Sequence, residues 1–351
     1  MKTTLIVLVT LFALTGCDNA TLVESPAGSE TVATLNLEKP STSLQPGTSR
    51  AFSINNSGAI AGSAINSGGR TVAFAMKNQS LWYSDEDARP NGLPEIKFAI
   101  NDPGDIAGSR VNGASGITPM LWRHGQAYEL QTVAGQQYGE VFAINNAGLM
   151  VGECLNGNFV TPTTMRATVF SLEGTPIDLG TLGGAKASAV GVNDRGDIVG
   201  LAETAAGQTH AFLYKDGVMQ DLGTLGGTAS NANAINNRGE IAGRSTLANG
   251  AIRGFLYRNG EMQDLGTLGG ASSVAFDIND KGEVVGFSRV SNGEAHAFVY
   301  KNGTMYDLGT LGGIDSRAYG INNKGEIVGQ YTKTDGSVHA FVYRDGQMLP
   351  L

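Results

Sequence analysis

Three histidines occupy one recurring position in the sequence, and they are the first residues to consider for chemistry. His210, His296 and His339 each precede Ala-Phe, and each tripeptide is followed by an aliphatic residue and Tyr. Equivalent positions of a repeat fold are spread apart, whereas catalysis and metal binding need different residues to meet at one place. We therefore predict a structural role for these imidazoles, as hydrogen-bond partners of a neighbouring strand or loop.

Other polar motifs also favour structure over chemistry. The segment Asn-Asp-Arg-Gly-Asp at 193–197 superficially resembles a calcium loop, but it lacks the 12-residue length and the terminal bidentate Glu of an EF-hand. It is typical of a tight turn. Cys154 has no His in its own repeat, and Gly269-Gly270 precedes no helix, so neither a nucleophile pair nor a phosphate loop is supported. We predict no metal, no cofactor and no catalytic residue.

Composition narrows the class of protein further. The 351 residues include 32 acidic and 24 basic side chains, and the formal net charge of −8 argues against a nucleic-acid partner. Only two cysteines occur, which excludes a disulfide framework. Gly accounts for 50 residues and Pro for only 10, so the glycines punctuate a regular structure.

The N-terminus predicts export. The apolar run Leu5 to Leu14 is too short to cross a bilayer, since ten helical residues span about 15 Å. It ends in Leu-Thr-Gly-Cys17, which resembles a bacterial lipobox; an ordinary signal peptide with a chance Cys is the alternative. The resemblance implies a signal peptide over 1–16, lipid on Cys17, a membrane anchor, and a periplasmic or extracellular location. Asp18 resembles an inner-membrane retention signal.

Residues 17–49 follow as the lipidated N-terminus and a flexible tether. This segment is rich in Ser, Thr, Pro and Glu and has little apolar periodicity. Its one strand-like piece, 32–37, is a candidate latch strand for the domain that follows.

Residues 50–351 contain seven copies of one pattern. Its signature is Ile or Val, then Asn, then Asn or Asp, and the copies lie 43 to 48 residues apart, the spacing of propeller blades. The copies begin at Ile54, Ile100, Ile144, Val192, Ile235, Ile278 and Ile321.

Each copy predicts four short strands, A to D. Asx-rich turns join A to B, and Asn-Gly or Asp-Gly pairs, the strongest short hairpin signal, join C to D. A four-stranded meander cannot bury its faces alone, and the final copy is as apolar as the middle ones, so it does not resemble a capping repeat. We predict an all-β fold, a seven-bladed β-propeller built from repeats of about 43 residues, with a β-solenoid as the alternative.

The repeated motifs resemble the bacterial extracellular HAF-repeat family. The resemblance rests on the His-Ala-Phe tripeptides and on Asp-Leu-Gly-Thr-Leu-Gly-Gly, which begins at Asp178, Asp221, Asp264 and Asp307. It implies export and repeats, and it adds no activity. The first two copies depart from it, with Val72-Ala73-Phe74 and Thr118-Pro119-Met120 in place of His-Ala-Phe. The heptapeptides are typical of a crossover between blades, which gives Asp221, Asp264 and Asp307 structural roles.

Variation between the copies indicates where a ligand would bind. Meander geometry places the B–C and D–A connections on one face of the ring, and their lengths vary most in the first three copies. Ligand sites favour loops on a rigid scaffold, although drift in exposed loops would give the same pattern. The candidate binding residues are Asp85, Glu86, Asp87, Arg89, Tyr138 and Asn156.

These observations predict a non-catalytic binding or scaffolding lipoprotein of the cell envelope, with a protein or glycan partner. The alternative is an envelope glycan lyase or hydrolase with acidic residues at the propeller mouth. A cleft where several carboxylates meet an Arg or His would favour the enzyme.

Overall fold

A computed structural model describes residues 48–65, 71–77, 80–86, 98–111, 116–157 and 162–351. The predicted signal peptide, Cys17, the tether, the latch segment 32–37, Asp87 and Arg89 lie outside the described residues. Every regular element in the described ranges is a β-strand. No helix there is long and apolar enough to span a membrane.

The described strands follow one another in chain order as antiparallel meanders of four, here called units 1 to 7, whose strands are A to D in order. A parallel pair, Met165 with Lys186, joins units 3 and 4 into one eight-stranded sheet. Units 1 to 3 comprise β1 (Ser49–Ile54), β2 (Ile60–Ile65), β3 (Thr71–Lys77), β4 (Ser80–Glu86); β5 (Ala99–Ile100), β6 (Ile106–Val111), β7 (Ile117–Arg123), β8 (Gln126–Glu129); β9 (Tyr138–Ile144), β10 (Met150–Gly157), β11 (Pro162–Phe170) and β12 (Ile177–Asp178). Units 4 and 5 comprise β13 (Gly183–Val192), β14 (Ile198–Thr204), β15 (Thr209–Lys215), β16 (Val218–Asp221); β17 (Gly226–Ile235), β18 (Ile241–Leu247), β19 (Ile252–Arg258) and β20 (Glu261–Asp264). Units 6 and 7 comprise β21 (Gly269–Ile278), β22 (Val284–Val290), β23 (Ala295–Lys301), β24 (Thr304–Gly309); β25 (Asp315–Ile321), β26 (Ile327–Thr332), β27 (Val338–Arg344) and β28 (Gln347–Pro350).

Apolar cores form between the units, and they close the ring. Each cluster of buried apolar side chains combines residues of two adjacent units. The closing cluster joins Val328, Ala340 and Val342 of unit 7 to Ala51 and Phe74 of unit 1. Because the last unit packs on the first, the fold is a closed β-propeller and the solenoid alternative is wrong.

A glycine in strand B allows each unit to pack tightly. In unit 5 a Cβ at Gly243 would overlap the carbonyl oxygen of Asn231 and lie 2.7 Å from the Phe255 ring. Phe255 is fully buried, as are the equivalent phenylalanines of the His-Ala-Phe motifs. The repeated Phe is therefore a core residue that needs a glycine opposite it.

A β-bulge in strand A decides which side chains face the axis. In unit 5 the register shifts between Ala232 and Ala234. A bulge bends the strand and redirects side chains. As a result the two consecutive residues Asn233 and Ala234 both line the axis of the ring. Units 1, 3, 4, 6 and 7 carry the same shift at the equivalent position.

Candidate functional site

The repeated Asn of the signature builds a ring of hydrogen bonds where the axis meets the A–B and C–D turns, the turn face. In each unit its Nδ2 donates to the carbonyl oxygen of the matching Asn in the next unit, at 2.9 to 3.1 Å. Asn322 of unit 7 donates to Asn55 of unit 1 at 3.0 Å, so the ring is closed. The Oδ1 atom of each accepts N–H groups of its own turn, as Asn279 does from Lys281 and Glu283.

The next residue of the signature forms a second closed ring, with Asn and Asp alternating except where units 7 and 1 meet. Each backbone N–H donates to the side-chain oxygen of the following unit at 2.7 to 2.9 Å. Its three carboxylates, Asp102, Asp194 and Asp280, also accept Nδ2 of adjacent asparagines, as Asp194 does from Asn237 at 3.0 Å. Both rings line the opening of the axis on the turn face, here called the mouth.

Charged side chains of the same turns are paired with one another. Arg195 Nη2 lies 2.8 Å from Asp197 Oδ2, and Arg238 pairs with Glu240 in the same way. Burial raises the pKa of Asp197, but hydrogen bonds from Asn193 and Arg195 outweigh it, so the pKa lies below its usual value. These residues complete the turns of the propeller.

An axial cavity of about 190 Å³ lies next to the mouth. The signature Ile or Val side chains stand at the strand ends between the cavity and the mouth. Four of them line both spaces, so cavity and mouth are contiguous along the axis: Ile100, Ile144, Val192 and Ile235. The residue two positions before each signature Ile or Val contributes to the cavity wall. These residues are Phe52, Phe98, Phe142, Val190, Asn233, Phe276 and Tyr319.

Aromatic rings from three consecutive units touch along one side of the cavity. The ring centroids of Phe276 and Tyr319 are 5.2 Å apart, and those of Tyr319 and Phe52 are 5.7 Å apart. Phe276 and Tyr319 each retain some accessible surface. The wall therefore presents π faces and edges to whatever occupies the cavity.

Among the described residues, Asp277 is the one acidic side chain that lines this cavity. Its Oδ1 accepts the N–H of Ile278 at 2.8 Å, and its Oδ2 accepts the N–H of Ile321 in unit 7 at 2.9 Å. Burial raises the pKa of Asp277 to about 7, although these two hydrogen bonds lower it. In unit 1 the hydroxyl of Ser53 accepts the equivalent N–H, from Ile100, at 3.3 Å.

The predicted structural residues lie outside the cavity lining, at the ends of strands C and D. His210 Nδ1 lies 2.8 Å from Asp221 Oδ2, and His296 Nδ1 lies 2.8 Å from Asp307 Oδ2. Each Asp also accepts a glycine N–H of the following crossover. The other two predicted residues, His339 and Asp264, have different partners. His339 pairs with Ser337, and Pro350 occupies the position that the Asp has in units 4 to 6. Asp264 faces Arg253 at 3.8 Å.

Two of the predicted binding residues, Tyr138 and Asn156, come together on the face of the ring opposite the mouth. This face carries the B–C and D–A connections and is here called the loop face. Tyr138 and Leu155 are cross-strand partners, and Asn156 follows directly. Asn156 donates to the carbonyl of Gly135 at 2.5 Å and accepts the N–H of Gln137 at 2.7 Å. Asp85 and Glu86 end strand β4 in unit 1. A binding role for all of these residues stays a prediction.

The residues missed from the sequence are those of the axial cavity. A signal was present, because five of the seven units carry Phe or Tyr two residues before the signature, whereas unit 5 has Asn233 there. Asp277 likewise stands where the other units have Ser, Ala or Gly. The bulge that turns both positions toward the axis left no comparable mark in the pattern.

Comparison with known proteins bears on the fold alone. No protein-family profile and no curated protein matches the sequence. The propeller domain of the Trilobed protease from Pyrococcus furiosus is similar, with a TM-score of 0.57 at 11% identity, over 86% of this chain and 97% of that one.

A puromycin-hydrolysing peptidase from Mycobacterium tuberculosis gives a TM-score of 0.56 at 11% identity, over 87% of this chain and 53% of that one. This chain thus spans about half the length of that peptidase. These likenesses show the fold alone, and the protein is a β-propeller.

Proposed function

We propose that this protein is a non-catalytic binding or scaffolding propeller of the cell envelope, which presents its loop face to a protein or glycan partner. The observation that carries the proposal is a hairpin of unit 3. Its strands B and C, β10 and β11, have 8 and 9 residues, whereas those of units 4 to 6 have 7. The additional residues extend this unit on the loop face.

The extended hairpin is braced by the loop that enters unit 3. Thr164 Oγ1 donates to Gln136 Oε1 at 3.0 Å, and Asn156 bonds to Gly135 and Gln137 in the same loop. A braced projection suits recognition, because little conformational entropy is lost when it contacts a partner. The repeated His, Asp and Asn side chains, in contrast, hold turns and units together, which favours a platform over an enzyme.

The test shortens the hairpin to the length found in the other units. The strand-B Gly and the strand-C residue at the Ala position are 11 positions apart in the other six units, as Gly200 and Ala211 are, but 15 apart in unit 3, from Gly152 to Ala167. Removing residues 158–161 restores the spacing of 11. We expect crosslinks to the partner in native membranes to disappear while the melting temperature stays unchanged. The matched control inserts four Gly and Ser residues between Asn249 and Gly250, in the B–C turn of unit 5. Full crosslinking by the shortened protein would contradict the proposal.

Lipid on Cys17 is a separate part of the proposal. The Cys17→Ser variant should leave the membrane fraction and lose metabolic labelling by palmitate. Cys154→Ser is the control, because Cys154 is buried. Unchanged labelling of the Cys17 variant would remove the anchor from the proposal and leave the partner surface standing.

A further inference from the structure

The axial cavity has a size that suits a small ligand. Its volume is about 190 Å³, and an engineered apolar cavity of about 150 Å³ is known to hold benzene. A benzene-sized body with a short arm therefore fits. The lining residues of the cavity all stand one to three positions before a signature Asn, at the mouth end of strand A, so a ligand inside it would not contact the proposed partner surface of unit 3.

Charge at the cavity and the mouth has one sign. Asp277 lines the cavity, and Asp102, Asp194 and Asp280 line the mouth, whereas no Lys, Arg or His of the described ranges lines either space. The basic side chains at the next turn position, Arg195, Arg238, Lys281 and Lys324, belong to the turns outside these linings. The first two are paired with carboxylates of their own turns. A path whose charged lining residues are all carboxylates attracts cations.

The carboxylate of Asp277 is more than the fold requires. Its structural task is to accept the N–H of Ile321, and Ser53 does the same for Ile100 with a neutral hydroxyl. The remaining five units manage with Ala or Gly at this position. Because an enclosed charge costs stability, a carboxylate at this position points to a role beyond holding the units together.

The neighbours of Asp277 are suited to an ammonium group. Phe276 and Tyr319 supply aromatic surface, which attracts cations within about 6 Å of a ring centre. Asn233 lines the same cavity and donates its Nδ2 to the Ala275 carbonyl at 2.7 Å, which leaves Oδ1 as an acceptor for a ligand N–H. Carboxylate, amide oxygen and aromatic surface thus come from units 5, 6 and 7.

We propose that the axial cavity binds a small organic cation, in which an ammonium group contacts Asp277 and an apolar body of about benzene size fills the ring of Phe and Tyr side chains. The ammonium group supplies a positive partner for the carboxylate, which the described lining of the cavity does not offer. The apolar body displaces water from the aromatic wall.

The first experiment needs no variant. The full chain is titrated at pH 8 by calorimetry with three probes of similar shape: phenethylammonium, neutral 2-phenylethanol and anionic 3-phenylpropionate. We expect the ammonium to bind at least about tenfold more tightly than the alcohol, and the carboxylate to give no measurable binding. Equal affinity for all three, or no binding of the ammonium at about 10 mM, would overturn the proposal.

The second experiment assigns the charge to one residue. Asp277→Ser keeps an acceptor for Ile321, and it should weaken phenethylammonium binding about tenfold or more while 2-phenylethanol binding is unchanged. Asp335→Ser, on an exposed turn, removes the same charge elsewhere and should leave both affinities unchanged. If Asp277→Ser does not fold, Phe276→Leu tests the aromatic wall and should weaken the ammonium probe more than the alcohol. Wild-type selectivity for the ammonium in the folded variant would refute the assignment.

Discussion

The signature Asn ring and the axial cavity are built by the same seven strands, one to three residues apart, yet they differ in regularity. The ring repeats one residue type and one hydrogen bond in every unit, from Asn55 to Asn322. The cavity breaks that symmetry with Val190, Asn233 and Asp277. The hydrogen bond that every unit repeats closes the ring. The departures from the repeat make the cavity wall asymmetric, so that a ligand binds there in one orientation in preference to the others.

The largest effect is expected from a deletion that opens the closed ring, on which both regions depend. Deleting Ala318 to Leu351 exposes the apolar clusters on both sides of unit 7 and opens the Asn ring. We expect an aggregating or largely unfolded product in size-exclusion chromatography and thermal melts.

The control for this deletion is a circular permutant opened at Gly174. Ala340 donates to Ser49 Oγ at 2.9 Å and accepts the N–H of Leu351, so a short linker joins the ends of the propeller. The permutant should melt cooperatively. A soluble, cooperatively melting deletion protein would contradict a closed ring.

A smaller effect separates the ring from the cavity. Asn279→Ala removes a donor to Asn322 and the acceptor for two turn N–H groups, so we expect a loss of about 2 kcal/mol in the free energy of unfolding by urea. Asn323→Ala, in the more exposed second ring, should cost less. Binding of phenethylammonium should be retained in both; a loss of binding at unchanged stability would mean that the ring itself recognises the ligand.

The pH dependence of stability sharpens the role of Asp277. The folded pKa of Asp277, about 7, lies above its unfolded value, so the folded state keeps the proton up to a higher pH than the unfolded state does. The free energy of unfolding therefore falls as pH rises from about 4 to about 7. A pKa difference of about three units sets an upper bound of about 4 kcal/mol, and because the residue keeps some accessible surface we expect a smaller fall, of about 1 kcal/mol or more. Asp277→Ser should flatten this part of the urea-unfolding profile. An identical profile in the variant would place the titration elsewhere.

The smallest effect concerns the repeated histidines. The His296 side chain is 19% exposed and that of Asp307 40%, so the pair is more hydrated than a buried hydrogen bond. His296→Ala should lower the free energy of unfolding by about 0.5 kcal/mol. Binding of phenethylammonium and of the proposed partner should be unchanged. His339→Ala, at a position where Pro350 replaces the Asp, is the comparison. Loss of binding at unchanged melting temperature would move His296 to a functional role.

The sequence by itself determined the strands, the turns and the repeat. These depend on local patterns: Asn302-Gly303 predicts a tight hairpin, and the structure places Asn302 at φ 52° there. The buried Phe of His-Ala-Phe and the Asx turns at Asn236 follow from the same local rules. The apolar final copy also indicated closure, because an exposed end would be costly.

Only the tertiary structure decided which residues face the axis. Strand alternation predicts opposite faces for Phe276 and Asp277, but the bulge between Ala275 and Asp277 brings both to the cavity. The pKa of Asp277 depends on burial by other units and on the N–H of Ile321, 44 residues away. These properties arise from packing seven units around one axis, and no single repeat contains the information.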